Sequence, residues 1–441
     1  MKNKAIKNAT VKPSYKTRPC LGMSNVASQI TETEVLPGLK LFVMPTNVER
    51  IVTIKGSLLG GQYFSPNNNK VLAGVLAEML DQGTEKYAKK ELHDLLDSRG
   101  ISINFSASRF QITISARCLF EDTTLTFELV AEMLRRPTFP ESELDVLRKR
   151  AIGEIKEQQS NTRAQAGIAL SRKLYSPSNP NCALSGEETI AFLEKITRND
   201  LVSFHKKLGL GNMYLVAVGD VDTKNFSVEV EKYFSGWQKS AFFIPDIAPA
   251  EVPKGETTIV PIPDKTSADV MLGTTIPFGD QRPDFYPLVL GTNILGGGFT
   301  ARLMQEVRDK KGLTYGTYSS VSGTGNNTPG HFVVWGTFAP ELLDKGLEAL
   351  NFETKKFIAR GVNVKELAGK KQTITGGYKV GLSTTGGLAS VILANAEAGK
   401  PKEFIDEYPR VIEKITLTEV NKVIKKYLDV KNLVTVIAGS I

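Results

Sequence analysis

Near the middle of this chain runs Glu194-Lys195-Ile196-Thr197, then a helical pattern through Lys206-Lys207, then Tyr214-Leu-Val-Ala-Val-Gly219-Asp220. The chain ends on the same succession: Glu413-Lys414-Ile415-Thr416, a helical pattern through Lys425-Lys426, then Val434-Thr-Val-Ile-Ala-Gly439-Ser440. The offset is 219 residues at the start and 220 at the end, because one residue is inserted in the turn. Looser matches precede both. An alternating hairpin at 101–117 is followed by helical patterns at 121–135 and 141–158. A second hairpin at 315–337 carries the loop Ser322-Gly-Thr-Gly-Asn-Asn-Thr-Pro-Gly330, and helical patterns follow at 340–359 and from near 363. Chance can give one such match but not an ordered series, so the chain reads as a duplication with a domain-sized period.

A length of 441 residues exceeds what one hydrophobic core organises. The seam between the copies lies past Trp237, where Pro245, Pro249 and Pro253 interrupt a stretch with few long apolar runs. The expected layout is a basic arm at 1–27, a first domain at 28–237, a linker at 238–256 and a second domain at 257–441. Strands are expected at 30–34 and 39–44 around the turn pair Pro37-Gly38, and at 50–58. Long helices then alternate with hairpins rather than single strands. That pattern predicts an α+β fold with mostly antiparallel sheets, not a doubly wound parallel one.

Charge and cysteine content exclude several classes. The net charge of +8 invites a nucleic-acid reading, but Lys2, Lys4, Lys7, Lys12, Lys16 and Arg18 precede the first acid, Glu32. Without that arm the body is nearly balanced. The arm has no apolar periodicity, which predicts a solvated tail, and no apolar core of a secretory leader. No run approaches the roughly 18 apolar residues of a membrane span. The expectation is a soluble protein, in the bacterial periplasm if a leader has been removed and otherwise in the cytoplasm. Cys20, Cys118 and Cys182 form no C-x-x-C pair and no even set, so they read as ordinary thiols.

The pattern at 69–82 places Leu72, Val75, Leu76, Met79 and Leu80 on one helical face, with Gly83 as a stop. The segment Leu72-Ala-Gly-Val-Leu-Ala-Glu-Met-Leu-Asp-Gln-Gly-Thr84 resembles the zinc helix of the pitrilysin/insulinase family, the inverzincins, which carries His-x-x-Glu-His. Two histidines four residues apart share one ion, and the glutamate between them activates the bound water. Here those positions hold Gly74, Ala77 and Glu78. The family's third ligand, a glutamate, falls at Glu154 in Arg148-Lys-Arg-Ala-Ile-Gly-Glu-Ile155, which on its own reads as a helix-surface carboxylate. Glu78 with Glu154 offers two carboxylates, a poor zinc site. His93, His205 and His331 are each isolated in sequence. No metal or other cofactor is expected in this chain.

The second half contains Leu295-Gly-Gly-Gly-Phe-Thr-Ala-Arg-Leu-Met-Gln-Glu-Val-Arg308-Asp-Lys-Lys-Gly-Leu-Thr-Tyr315. Three glycines before a helix can cradle a phosphate, but both the P-loop ending and G-x-G-x-x-G are absent, so a tight turn with close packing is the better reading. Taken alone, Arg308 and Tyr315 read as locally packed side chains. The whole stretch resembles the family's C-terminal signature, a Gly-rich turn, a helix, Arg, six residues and Tyr. The resemblance implies that Arg308 and Tyr315 bind substrate and stabilise the oxyanion at a zinc site across a clamshell. A guanidinium fork and a phenol are donors suited to that charge.

The resemblance extends over about residues 30–441. It implies two homologous halves related by approximate twofold symmetry, a half-clamshell, with extended peptide joining a sheet edge as an added strand. Within the family the chain is similar to the processing-peptidase-like non-zinc subunits, which have lost the zinc helix and kept the Arg/Tyr pair. The expected function is that of the non-zinc subunit of a heterodimeric zinc metallopeptidase, inactive alone. Its implied partners are a homologous subunit bearing His-x-x-Glu-His, which holds the zinc, and a peptide substrate. The alternative is a catalytically inert scaffold or peptide-binding protein of the same fold. A self-sufficient enzyme finds no nucleophile–base pair in the sequence.

Overall fold

The computed structural model describes residues 25–441. Most of the basic arm, residues 1–24, and Cys20 with it lie outside the described residues.

The first half opens with strands β1 (Thr31–Leu36), β2 (Leu39–Pro45) and β3 (Ile51–Leu59) and helices α1 (Leu72–Met79) and α2 (Lys89–Arg99). The hairpin β4 (Ser102–Ala107) and β5 (Gln111–Leu119) precedes α3 (Thr123–Arg135), α4 (Glu141–Gln158) and α5 (Thr162–Leu174). Helices α6 (Gly186–Lys195) and α7 (Arg198–His205), strand β6 (Met213–Gly219) and α8 (Thr223–Phe234) complete it. After residues 241–256, which hold neither helix nor strand, the second half repeats the order. It runs β7 (Thr257–Pro261), β8 (Ala268–Thr275), α9 (Phe285–Gly296), β9 (Thr317–Ser322) and β10 (His331–Phe338). Helices α10 (Leu343–Arg360), α11 (Val364–Gly381), α12 (Thr385–Glu397), α13 (Phe404–Lys414) and α14 (Leu417–Tyr427) lead to β11 (Val434–Gly439).

The two sheets follow one path. The first has the order β1-β2-β6-β3-β5-β4 and the second β7-β11-β8-β10-β9. Only β2–β6 and β7–β11 run parallel; every other neighbouring pair is antiparallel. The fold is therefore α+β with two similar, mostly antiparallel halves. The repeated Ile-Thr of the sequence does the same work twice. Thr197 and Thr416 cap α7 and α14, each accepting from the N–H three residues on, and Asp200 and Glu419 return the bond.

Each sheet has one face covered by helices of its own half and the other by a helix from the opposite half. Helix α5 lays Ala166, Leu170 and Leu174 on Met271, Val333, Val434 and Val436 of the second sheet. Helix α12 lays Leu388, Ile392 and Leu393 on Phe42, Met44, Val216 and Val218 of the first. Central strands β6, β8 and β11 are thus buried on both faces, which is why β6 and β11 read as nearly continuous apolar runs instead of alternating ones, while β8 buries Asp269, Thr274 and Thr275 as well. The hairpin tips also meet. The Arg109 guanidinium donates to the Gly323 carbonyl at 3.0 Å, and the Gln111 side chain to Asn326 at 2.8 Å. The N-terminal segment is tied down by Asp406, whose carboxylate accepts from the Val26 and Ala27 amides at 3.1 and 2.9 Å. No helix among the described residues is long and apolar enough to cross a membrane.

Two local expectations change. The helix expected over 69–82 is α-helical only at Leu72–Met79: it starts late after a 3-10 turn in which Asn67 and Asn68 hold left-handed φ of 55° and 56°, and it ends where the Leu80 amide bonds back three residues to the Ala77 carbonyl. The helix expected before Arg308 is π-helical at Met304–Asp309.

Candidate functional site

The residues singled out in sequence form two separate clusters. In the first, α1 carries Gly74, Ala77 and Glu78. Ala77 is buried against the core, while Gly74 and Glu78 face a cavity of about 370 Å3 whose walls include Leu147, Ala151 and Ile155 of α4. An added Cβ on Gly74 meets nothing within 4 Å, so that position looks into open space. Helix α4 brings Glu154 to the same region, but a guanidinium stands between the carboxylates. Arg150 is hydrogen-bonded through Nη2 to Glu78 and lies 3.7 Å through Nε from Glu154.

That donor set does not fit zinc. Two carboxylates that share one arginine, with no imidazole or thiolate beside them, make a poor ligand set for that ion. Among the described residues no three His, Cys, Asp or Glu side chains converge. The ion pairs are more than half exposed, with side-chain exposures of 58% for Arg150 and 51% for Glu78, so they are worth less than about 1 kcal/mol. The histidines are used elsewhere. Nε2 of His93 lies 3.2 Å from the Asp81 carbonyl and that of His205 lies 2.7 Å from the Leu134 carbonyl, while the Tyr175 hydroxyl lies 3.0 Å from Nδ1 of His331. Cys118 and Cys182 are free and buried.

The second cluster is Arg308, Tyr315 and Phe299. The Arg308 guanidinium carbon lies 5.5 Å from the Tyr315 ring and 5.8 Å from the Phe299 ring, within cation–π range of both. Both rings stand out in solvent, Tyr315 at 86% and Phe299 at 77% exposure. Neither the guanidinium nor the phenol hydroxyl has a hydrogen-bond partner among the described residues.

Such exposed groups need a firm base, and the motif builds one. An added Cβ on Gly296 sits 2.1 Å from the Ser319 amide nitrogen, so α9 reaches β9 this closely only as glycine. Gly298 follows at φ 122°, turning the chain back. Arg302 grips Glu366 through Nε at 3.0 Å and Nη2 at 2.8 Å, and also bonds the Gly361 carbonyl. Lys370 of α11 donates to the Gly297 carbonyl at 2.9 Å. The π-helical turn ends where Gly312, at φ 64°, donates to the Arg308 carbonyl. π-Turns of this kind concentrate at functional sites.

Sequence reasoning missed Arg150, Phe299, Arg302 and Lys370. Arg150 was visible as an i, i+4 partner of Glu154. Phe299 and Arg302 lie inside the quoted motif, but nothing in the sequence ties Lys370 to Gly297.

The fold is that of the M16 peptidase class, with Gly74, Ala77 and Glu78 on α1 in place of a His-x-x-Glu-His motif. Residues 44–185 match the family model described as insulinase (peptidase family M16), and residues 195–374 match the model described as peptidase M16 inactive domain. The chain belongs to the M16 family. It is 25% identical over 392 residues to a "non-peptidase homolog YmxG" of Helicobacter pylori, covering 86% of this chain and 87% of that protein. It is 24% identical over 366 residues to an "uncharacterized zinc protease YmxG" of Bacillus subtilis, covering 82% and 86%. A crystal structure described as a peptidase M16 inactive domain from Pseudomonas fluorescens superposes with a TM-score of 0.84 at 22% identity, over 93% of this chain and 98% of that one. A protease from Helicobacter pylori does so with a TM-score of 0.79 at 17% identity, over 92% and 98%.

Proposed function

We propose that this chain is the non-zinc subunit of a heterodimeric zinc metallopeptidase, inactive alone, which lends Arg308 and Tyr315 to a partner's metal site. The carrying observation is the contrast between the clusters. Glu78 and Glu154 are tied up by Arg150, whereas Arg308 and Tyr315 stand unpaired on a braced turn with Tyr315 at 86% exposure. Donors without hydrogen-bond partners, carried on a braced turn at a surface, are suited to meeting charge that arrives with another molecule. Zinc held by the His-x-x-Glu-His of such a partner would supply an activated water. The guanidinium and phenol then donate hydrogen bonds to the carbonyl oxygen of the peptide as it gains charge.

One observation favours a second reading, an inert peptide-binding member of the fold. Near Gly74 and Glu78 the old metal region is an open cavity, and it needs no partner to hold a side chain.

The test is co-expression with a homologue bearing His-x-x-Glu-His, purification of the complex and an assay of peptide hydrolysis. The expected result is one zinc per heterodimer, with Arg308→Ala and Tyr315→Phe each lowering kcat about 100-fold or more, as loss of an oxyanion donor does. Full activity of both variants in a one-to-one complex would sink the proposal.

A further inference from the structure

The cavity beside α1 combines apolar walls with one lysine that has no acid partner. Val75, Leu147, Ile155 and Leu193 line it, and so does Lys70. The Lys70 ammonium donates to the carbonyls of Asn179 at 2.9 Å and Cys182 at 2.6 Å. An ammonium has three donors, so one remains. The acids in the neighbourhood are engaged elsewhere: Glu188 with Arg172, at 2.5 and 3.2 Å, and Glu78 with Arg150. Lys70 itself forms no ion pair among the described residues. Burial pulls its amine below the usual lysine range; Arg109 and Arg172 push the same way, and Cys182 and Glu188 push back less than burial pulls.

We infer that this cavity binds the carboxylate of a small apolar acid, with the carboxylate on Lys70 and the apolar chain in the space that Gly74 leaves open. Its volume, about 370 Å3, lies at the small end of ligand pockets, right for one branched or aromatic side chain with its terminal carboxylate. Charge complementarity selects the acid over the amine or amide. A carboxylate supplies the missing partner of a partly desolvated cation, while an uncharged group of the same shape supplies only a neutral acceptor. Two sources share this chemistry: a free branched-chain acid and the C-terminal residue of a peptide. The inference is independent of the proposed pairing with a zinc subunit, since it uses none of the residues of the Arg308 cluster.

Calorimetric titration of the full chain tests it with N-acetyl-leucine against N-acetyl-leucinamide, and Ala-Ala-Leu against its C-terminal amide. The acids are expected to bind roughly tenfold or more tightly than their amides, the margin of a charge-assisted contact. Lys70→Met, which keeps the apolar stem, should bring acid affinity down to that of the amide. Gly74→Leu should abolish binding of both, because Gly74 lines the cavity and the first carbon of an added side chain meets no neighbour, so the rest occupies the ligand's space. Tighter binding of the tripeptide than of N-acetyl-leucine assigns the site to chain ends, and the reverse assigns it to free acids. Equal affinity for acid and amide, no binding of any acid at millimolar concentration, or unchanged binding in a folded Lys70→Met protein would overturn the inference. Should Lys70→Met fail to fold, the acid–amide comparison and Gly74→Leu decide alone.

Discussion

Leu170 sits on a helix of the first half, yet the surface it covers belongs to the second. It is 3% exposed, and its two Cδ atoms fill the space where a Cβ on Gly273 would stand, at 2.9 and 3.1 Å. Strand β8, which carries Gly273, is hydrogen-bonded on both sides by β11 and β10, so it has no freedom to collapse into a void. Leu170→Ala therefore falls toward the upper part of the range for buried leucine truncations, about 3–4 kcal/mol. If α5 joins the halves thermodynamically, that loss must appear in both. The chain has two tryptophans, one on each side of the seam: Trp237, beside Phe234, and Trp335, whose indole donates to Asp269 at 2.6 Å. Urea unfolding of Leu170→Ala in Trp335→Phe and Trp237→Phe backgrounds reads each half by its remaining tryptophan. The expected result is one coincident transition whose midpoint drops equally by both reporters. A Trp237 curve unmoved while the Trp335 curve shifts would refute the reasoning and show that the halves unfold independently.

Two further outcomes follow from residues already placed. Desolvation of the partly buried His331, with Arg109 nearby, pulls its imidazole down to about 4, whereas an unfolded histidine titrates near 6.5. The unfolded chain thus binds the extra proton between these values, so stability is fully present above pH 6.5 and is lost as pH falls toward 4, by up to about 3 kcal/mol. His331→Gln should flatten that part of a plot of urea midpoint against pH; an unchanged slope would assign the loss to other groups. The variant Gly74→His, Ala77→Glu, Glu78→His restores the family's ligand spacing but keeps Arg150 beside Glu154. Its zinc affinity by competition with a chromophoric chelator should be at least about tenfold lower than when Arg150→Ala is added, and equal affinities would show that the guanidinium does not compete with the metal.

Much of the fold was legible because duplication wrote it twice. The hairpins, the 141–158 helix and the capped pairs around Thr197 and Thr416 lie where local pattern places them. The exchange of α5 and α12 was not legible. Periodicity says that Leu170 and Ile392 face something apolar, and it is silent on which half supplies it. At the site, the departure from His-x-x-Glu-His at Gly74, Ala77 and Glu78 was readable only once the resemblance to the family's zinc helix supplied the positions to compare. The Arg150–Glu78 pairing joins residues 72 positions apart and leaves no local trace. The π-helical turn before Arg308 differs from an α-helix by one hydrogen-bond register, which composition does not record.

The crossed helices also set a schedule for synthesis. The apolar face of α5 is complete once Leu174 has left the ribosome, but Val434 and Val436, against which it packs, are made about 260 residues later. At bacterial elongation rates the interval is on the order of tens of seconds. Throughout it the first half carries an uncovered stripe of Ala166, Leu170 and Leu174, and its own sheet waits for α12 to cover Val216 and Val218. A nascent chain in that condition is a natural client for a holding chaperone, and truncated products that end before β11 are natural substrates for degradation.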